Sequence, residues 1–300
     1  MSKDIQSILS NVQCQDATPG EEMRKHTSLA IGGPVEIFII PADRDNLIRC
    51  LDLLSERNLS FRILGGGTNL LADDRGVEGV VIKPKWRPED LAFQGTRVTA
   101  PAGMALTRLA QAAAERGLSG LEFAAGIPGT VGGAAVMNAG WRGEEVSGVV
   151  RRVRVHQPCV GEREMKADQC RFGYRSSRFQ KEGGVILEVE FSLCPGDPVA
   201  IQSEMKDVLS QRKKFLPLEY PSAGSVFKNP AGDYAGRLIE AAGLKGKRIG
   251  DAQISDKHAN IIVNRGSARF AEVEELIQLA RRKVKDRSGI DLELELIIWR

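Results

Sequence analysis

The chain has 300 residues, 42% of them hydrophobic and 27% charged, and its formal net charge at pH 7 is only +3. This length suits two or three packed domains, and a nearly balanced charge without a block of one sign argues against a nucleic-acid partner. No segment approaches the ~20 apolar residues that span a bilayer, and the N-terminal residues lack the apolar run of a signal peptide, so we expect a cytoplasmic protein with no membrane partner.

Cysteine and histidine usage indicates neither a disulfide framework nor a metal site. The five cysteines are scattered without a CxxC pair, which is typical of reduced thiols in a cytosolic protein. The three histidines are too dispersed to form a metal site. Glycine is unusual, because its 32 residues cluster between apolar segments. Clustered glycine brings the backbone close to a neighbouring segment or to a ligand.

In chain order, the first two thirds predict a βαβ-like unit and then a second segment of strands and helices. A short N-terminal helix comes first, and Leu47, Leu51 and Leu54 give the next helix one apolar face, with Asp43 as its cap. An alanine-rich helix over 104–116 is predicted to end at Gly117. The predicted strands are 35–40, 61–64, 80–82, 97–100, 149–155 and 185–191.

Turn residues cluster at 195–198, which indicates a boundary before the last third of the chain. Three helices and two strands are predicted beyond it, with a loop of small residues between the first two helices. They are a helix around 201–209, the loop 222–230, a helix over 234–242, a strand over 260–264, a helix around 273–284 and a closing strand over 292–298. The whole pattern predicts an α+β fold.

Two glycine-dense loops are the clearest signs of a ligand. Residues 65–69 (GGGTN) follow a predicted strand, and three successive glycines let backbone amides converge on phosphate oxygens. Alone, this run fits a plain tight turn better, and it matches neither a Walker loop nor GxGxxG. A second loop at 126–133 (GIPGTVGG) lies about sixty residues later. The pair together favours one long ligand held at two places, such as a dinucleotide with a flat ring system.

Ordered motifs along most of the chain carry a family resemblance. They are TSLAIGG at 27–33, GGGTNLL at 65–71, GLEFAAGIPGTVGGAAVMNAG at 120–140, FGYRSS at 172–177, PSAGSVFKNP at 221–230, LIEAAGLKG at 238–246, the segment 258–264 and LELEL at 292–296. In this order they resemble UDP-N-acetylenolpyruvoylglucosamine reductases from about residue 26 to residue 297. Ser225 follows Arg175 by 50 residues, a spacing similar to that of the shorter, second subclass.

The resemblance implies a fold and a set of ligands. It implies an α+β protein with a two-part FAD-binding region of the vanillyl-alcohol-oxidase/PCMH type and a C-terminal α+β substrate domain. FAD is bound non-covalently, NADPH is the co-substrate, the substrate is a UDP-sugar enolpyruvate, and a monomer is expected. The implied parts are an N-terminal extension at 1–20, FAD-binding subdomains at 21–85 and 86–195, and a substrate domain at 196–300. The last strand of the substrate domain is a candidate to pack back on the FAD-binding region.

The same resemblance implies which residues hold the cofactor. They are Gly65, Gly66, Gly67, Thr68, Asn69 and Leu70 in the first loop, and Gly126, Ile127, Pro128, Gly129, Thr130, Gly132 and Gly133 in the second. Neither loop contains a histidine or a cysteine, so a covalent flavin is disfavoured.

The implied reaction reduces an enolpyruvyl ether. Hydride delivered to the methylene carbon leaves negative charge beside the carboxylate, so the site needs a cation for that charge and a proton donor for the adjacent carbon. The resemblance assigns the proton to Ser225, the carboxylate and enolate to Arg175, and a protonated partner role to Glu295. Without the resemblance, the residues alone favour an ordinary loop hydroxyl, a surface arginine and a solvated glutamate.

Strand alternation over 292–298 places Glu293 and Glu295 on one face, and we predict that only Glu295 is functional. Implied substrate contacts are Tyr174, Lys228, Asn229, Lys245 and, as a weaker candidate with a structural alternative, His258.

The chain departs from the family pattern after residue 140. The family usually has Ala-Tyr-Gly there, whereas this chain has Trp141, Arg142 and Gly143. The tyrosine contact is therefore absent, and Arg142 is a candidate replacement that would touch a phosphate or a carboxylate.

Two other functions remain open at this point. Another FAD-dependent oxidoreductase of the same fold would explain the glycine loops, but it would not explain GSVFKNP or Glu295. A non-catalytic flavin- or nucleotide-sugar-binding protein predicts loss of the proton donor or the arginine, and Ser225 and Arg175 are both present.

Overall fold

A computed structural model describes residues 3–85 and 90–300 of the chain. The helices are α1 (Lys3–Leu9), α2 (Arg44–Glu56), α3 (Leu106–Ala114), α4 (Val131–Met137), α5 (Pro198–Phe215), α6 (Ala235–Ala241) and α7 (Phe270–Ser288). The strands are β1 (Cys14–Pro19), β2 (Val35–Pro41), β3 (Phe61–Ile63), β4 (Leu70–Ala72), β5 (Val77–Ile82), β6 (Ala92–Gln94), β7 (Arg97–Pro101), β8 (Leu118–Ser119), β9 (Gly140–Trp141), β10 (Glu144–Glu145), β11 (Val150–Gln157), β12 (Gly161–Lys166), β13 (Val185–Ser192), β14 (Cys194–Pro195), β15 (Ser222–Ser225), β16 (Arg248–Ile249), β17 (Ala252–Ile254), β18 (Ile261–Asn264) and β19 (Ile297–Trp299).

These elements confirm the predicted α+β class. The strands and helices predicted in the first two thirds all form, with ends shifted by up to three residues. Among the residues that the structure describes, no helix combines the length and the apolar character needed to cross a membrane.

The first of two compact units is made of the described residues of Met1–Pro19, Glu36–Gly66 and Gly79–Gln211. One of its sheets has the order β1-β2-β5-β3. The predicted face of α2 is buried against this sheet in a cluster with residues such as Ile39. Asp43 caps the helix as predicted, because its side chain accepts a hydrogen bond from the Asn46 backbone N–H at 2.9 Å.

Two features of the first unit position its glycine loops. Strands β3 and β5 are parallel, with Ile63 opposite Ile82, so the loop after β3 leaves the carboxyl edge of that pair. A second, antiparallel sheet has the order β12-β11-β13-β7-β6, and α3 and α4 supply buried residues to the core beside it. The second glycine loop leads into α4, which belongs to this core.

The second unit is made of Gly20–Val35, Gly67–Glu78 and Arg212–Arg300. It has a four-stranded sheet, β15-β18-β17-β16, and a parallel pair of β19 with β4. Its core holds the apolar face of α7, including Val273, Leu276 and Ile277. Helix α7 ends at Gly289, whose φ of +73° is a left-handed conformation that favours glycine.

The strand predicted over 292–298 is wrong in extent, because only Ile297–Trp299 forms one. Leu292 and Leu296 are buried, but the backbone between them makes a single bridge, Leu294 to Phe227. The alternation therefore reflects burial on one side of an irregular segment and not a sheet ladder.

The second glycine loop is shorter than predicted, because α4 begins inside it at Val131. Two adjacent glycines have poor helix propensity, which hides this helix in the sequence. The Thr130 side chain compensates by accepting a hydrogen bond from the Gly133 N–H at 3.2 Å, which is an N-cap contact.

Candidate active site

The two glycine loops meet within the first unit. A Cβ placed at Gly65 would lie 2.7 Å from Thr130 Oγ1, a separation too short for two unbonded heavy atoms of this kind. The same Thr130 oxygen caps α4. The structure thus brings together Gly65 and Thr130, which the sequence placed in separate loops, and a Cβ at residue 65 would force the Thr130 side chain to shift.

A second set of backbone contacts fixes the loop at 126–133 in place. The Val131 N–H donates to the Met104 carbonyl at 2.8 Å, and the Gly132 N–H donates to the Ala102 carbonyl at 2.8 Å. A Cβ at Gly132 would lie 2.8 Å from the Ala102 Cβ. Gly132 is therefore needed for packing, whatever the loop binds.

The remainder of the first loop belongs to the second unit, where its backbone packs against and hydrogen-bonds to other residues of the protein. Gly67, with φ +64°, packs so tightly on the His26 carbonyl that a side chain has no room. The Ser28 N–H donates to the Gly67 carbonyl at 3.0 Å. The Asn69 side-chain N–H donates to the Glu295 carbonyl at 2.9 Å, and the Ile297 N–H donates to the Asn69 carbonyl at 3.1 Å.

Arg175 belongs to the first unit, and its side chain is only 20% exposed. Its Nη1 donates to the Asn138 carbonyl at 3.4 Å and its Nη2 donates to the Gly140 carbonyl at 3.0 Å. Glu145 Oε1 lies 3.8 Å from Nη1. The guanidinium carbon lies 5.2 Å from the centre of the Tyr174 ring, which makes a cation–π contact.

Asn138 and Glu145 are the site residues that the sequence reasoning missed. Asn138 lies within the motif at 120–140, but nothing in its spacing indicates that its carbonyl would bind Arg175. Arg142 is exposed with φ +57° at the tip of the β9–β10 hairpin, next to Trp141. Its role as a replacement for the family tyrosine stays a prediction.

Ser225 and Glu295 come together in the second unit. Ser225 ends β15 opposite Ile261, after a register irregularity that includes Gly224 at φ +72°. The residue after it, Val226, accepts the Glu295 N–H at 2.9 Å through its carbonyl. Ser225 and Glu295 thus lie on adjacent stretches of backbone, because Glu295 is hydrogen-bonded to the residue that follows Ser225.

Glu293 and Glu295 differ in environment, and the predicted strand that would carry both forms only at Ile297–Trp299, so their placement on a common face stays a prediction. Glu293 is exposed and forms an ion pair with Lys228, with 2.7 Å between Oε1 and Nζ. Glu295 is half-buried. Lys228 also bonds through its backbone, because its N–H donates to the Glu293 carbonyl at 2.9 Å.

The other candidate substrate residues cluster near α6. The Asn229 Oδ1 accepts the Ala235 N–H at 3.0 Å, in the first turn of that helix. Lys245 pairs with Glu240 at 3.0 Å. Burial, and secondarily the positive charge of Lys245, lowers the pKa of the His258 imidazole below its usual 6.5.

Residues of the first unit fit a flavin dinucleotide. Gly65 and Gly66 leave the carboxyl edge of β3, and the loop 126–130 reaches the same place through the contact of Thr130 with Gly65. The glycines of both loops are partly accessible, apart from exposed Gly133 and buried Gly67 and Gly132, and Gly129 has φ +119°, which is open to glycine. The residues that would hold the pyrophosphate here are Gly65, Gly66 and the segment 126–130.

Comparison with known proteins agrees with this reading. Residues 35–160 match an FAD binding domain, and residues 216–299 match the C-terminal domain of UDP-N-acetylenolpyruvoylglucosamine reductase. UDP-N-acetylenolpyruvoylglucosamine reductase 2 of Symbiobacterium thermophilum is 45% identical over 93% of this chain and 91% of its own length. The corresponding reductase of Moorella thermoacetica is 44% identical over 93% of this chain and 92% of its own length.

A solved structure is also similar over nearly the whole chain. The crystal structure of UDP-N-acetylenolpyruvylglucosamine reductase from Thermus caldophilus has a TM-score of 0.80 and 36% identity, and it covers 95% of this chain and 98% of its own. The FAD-binding match and the loop geometry define a flavoprotein oxidoreductase. The chain belongs to the UDP-N-acetylenolpyruvoylglucosamine reductase family.

Proposed function

We propose that this chain is an FAD-dependent enzyme that reduces UDP-N-acetylglucosamine enolpyruvate to UDP-N-acetylmuramate, a step in peptidoglycan precursor synthesis. The observation that carries the proposal is the 45% identity over 93% of the chain to a UDP-N-acetylenolpyruvoylglucosamine reductase. NADPH is the proposed reductant, on the strength of the family resemblance. The backbone hydrogen bond from Glu295 to Val226, the residue after Ser225, is independent support.

The chemistry needs a cation where negative charge develops. FAD, when bound, supplies the hydride that reaches the methylene carbon of the enolpyruvyl group. Arg175 pairs with the substrate carboxylate and the developing enolate, because a planar guanidinium matches two oxygens in one plane. Its fixation by two backbone carbonyls supports this role, since a preoriented donor stabilises charge without reorganising.

A proton must then reach the carbon next to the carboxylate, and Ser225 is the proposed donor. A serine hydroxyl is a weak acid, so it transfers a proton only to a strongly basic carbanion held close to it. The turn at Gly224 and the contact of Val226 with Glu295 hold the serine backbone in place. Glu295 is the proposed protonated partner of the intermediate.

The remaining assignments rest on the resemblance. Tyr174, Lys228, Asn229, Lys245 and His258 are proposed substrate contacts, and a cytoplasmic monomer is proposed without a nucleic-acid partner. The proposed parts are 1–20, 21–85, 86–195 and 196–300, with the last strand returning to the FAD region. The partner of β19 is β4, which lies within 21–85 in sequence and within the second compact unit in the structure. The boundary after residue 85 adjoins residues 86–89, which lie outside the described residues.

The test is NADPH oxidation by purified, FAD-loaded protein, with and without UDP-N-acetylglucosamine enolpyruvate. We expect oxidation that depends on the substrate in the wild type, and its collapse in Ser225→Ala with flavin reduction by NADPH intact. A yellow protein that ignores this substrate would favour another FAD-dependent oxidoreductase. A protein that binds flavin or the nucleotide-sugar and catalyses nothing would favour a binding protein.

A further inference from the structure

The Asn138 side chain is the centre of a buried hydrogen-bond network in the first unit. Asn138 ends α4 in a left-handed conformation, φ +44°, and is 1% exposed. Its Oδ1 accepts the Ser147 N–H at 3.0 Å, and its Nδ2 donates to Glu145 Oε2 at 2.6 Å and to the Gly173 carbonyl at 3.0 Å. The amide oxygen and both amide hydrogens are thus committed, so the orientation of this side chain is fixed.

The same network surrounds Arg175. The Asn138 and Gly140 carbonyls accept hydrogen bonds from its guanidinium, and Glu145 places one carboxylate oxygen 3.8 Å from Nη1 while the other is bound by the Asn138 amide. Gly173, which the Asn138 amide also binds, lies two residues before the arginine. The amide therefore fixes both the carboxylate beside the guanidinium and the backbone that carries it.

We propose that Asn138 and Glu145 are positioning residues that set the orientation and the local charge of Arg175 before substrate binds. This inference rests on the proposed function, in which Arg175 pairs with the substrate carboxylate. An arginine side chain loses considerable rotamer freedom when it is fixed, and a network built beforehand removes that loss from the catalytic cycle. Glu145 supplies a negative charge that holds the guanidinium, and Asn138 keeps Glu145 from turning away.

The Asn138→Asp variant distinguishes this role from a purely structural one, in which Asn138 only stabilises the β9–β10 hairpin. Aspartate tolerates the left-handed backbone as asparagine does, and it keeps the acceptor for the Ser147 N–H. It replaces the amide donor with a second carboxylate oxygen facing Glu145, so the two like charges repel each other. Adding Glu145→Gln restores the hydrogen bond in the opposite direction, with the glutamine amide at 145 as donor and the aspartate at 138 as acceptor. The site then again holds one carboxylate.

The experiment measures kcat and KM for UDP-N-acetylglucosamine enolpyruvate with the FAD-loaded full-length enzyme. For Asn138→Asp we expect kcat/KM to fall by about 10- to 100-fold, the scale of a misplaced catalytic group. If that loss is large, we expect kcat/KM of the double variant to be about tenfold higher than that of Asn138→Asp. Glu144→Gln, an exposed carboxylate next to Glu145 on β10, is the matched control, with wild-type constants expected. The flavin-to-protein absorbance ratio and the melting temperature monitor the fold.

Three results would overturn the inference. Wild-type kcat and KM in Asn138→Asp would contradict it. Equal losses of kcat/KM in the single and double variants would also contradict it, because they would indicate a purely structural role. If Asn138→Asp does not fold, Glu145→Gln alone decides, because it keeps an acceptor for the Asn138 amide and removes only the charge. We then expect kcat to fall severalfold at an unchanged melting temperature, and unchanged kcat and KM would contradict the inference. Wild-type enzyme that does not turn over the substrate would instead overturn the proposed function.

Discussion

The two glutamates near the C-terminus show how local contacts separate residues of the same type. Glu293 forms an ion pair with Lys228, and its side chain is 73% exposed. Exposed ion pairs contribute little to stability. Glu295 is half-buried, and its backbone is held on both sides, by the Val226 carbonyl and by the Asn69 side chain. Of the two glutamates, Glu295 is therefore the one for which we propose a role in catalysis.

Glu295→Gln is expected to lower kcat by about 10²- to 10⁴-fold, the range for loss of a group that handles a proton. Glu293→Gln is expected to change kcat/KM by less than about fivefold, because an exposed pair contributes at most ~1 kcal/mol. Steady-state kinetics of the two variants checks both expectations. If Glu293→Gln abolishes turnover while Glu295→Gln spares it, the assignment is reversed.

His258 predicts a pH effect on stability. Burial lowers the pKa of its imidazole in the folded protein, so below about pH 6.5 the unfolded chain binds this proton more readily than the folded one. The contribution of this group is therefore complete above that pH and is lost as the pH falls towards the folded pKa. We expect the melting temperature of the wild type to drop more than that of His258→Gln between about pH 7.5 and pH 5.5. Parallel curves for the two proteins would show that His258 has no such effect.

At the scale of elements, the contact of Gly65 with Thr130 links the loop after β3 to the N-cap of α4. A methyl group at residue 65 has to displace the threonine hydroxyl that caps the helix. A change in one loop is therefore transmitted to the other, and the proposed cofactor contacts of both depend on it.

Gly65→Ala is expected to weaken FAD binding by about tenfold or more, because losing a cap alone costs ~1 kcal/mol and the loop must also move. The dissociation constant is measured by titrating apoprotein and following flavin fluorescence. Gly148→Ala is the matched control, since a Cβ there meets nothing within 4 Å and its φ is not positive. Equal affinity in Gly65→Ala and Gly148→Ala would show that the contact is irrelevant to the cofactor.

Elements with a long pattern could be predicted from the sequence, whereas elements that depend on distant partners could not. The face of α2 follows from leucines at helical spacing, and apolar runs such as 35–40 mark central strands. Strand β4 has only three residues, and its partner, β19, lies more than two hundred residues away. Helix α4 is hidden by its glycines, and its stability comes from a cap and from packing on Ala102. The same limit applies to the site, because the contacts of Asn138 exist only after the chain has folded.

At the scale of the whole molecule, each compact unit is assembled from three separate stretches of chain. In the second unit, Gly20–Val35 and Gly67–Glu78 join the C-terminal residues. They contribute Leu29, Ile31 and Leu71 to its core, each 2% exposed or less. They also supply β4, the partner of β19. The residues that match the family's C-terminal domain, 216–299, therefore do not contain a complete core.

A fragment of residues 212–300 is accordingly expected not to fold by itself. Burying each of the three missing side chains contributes about 1.5–3 kcal/mol, so their sum is comparable with the whole stability of a domain, about 5–15 kcal/mol. Far-UV circular dichroism and the dispersion of amide proton signals check this, with the full-length chain as the folded reference. Leu71→Ala in the full-length chain tests the same core and should cost about 2–5 kcal/mol of unfolding free energy. A fragment with dispersed signals and cooperative melting would mean that α7 and the β15–β18 sheet are sufficient without the two N-terminal stretches.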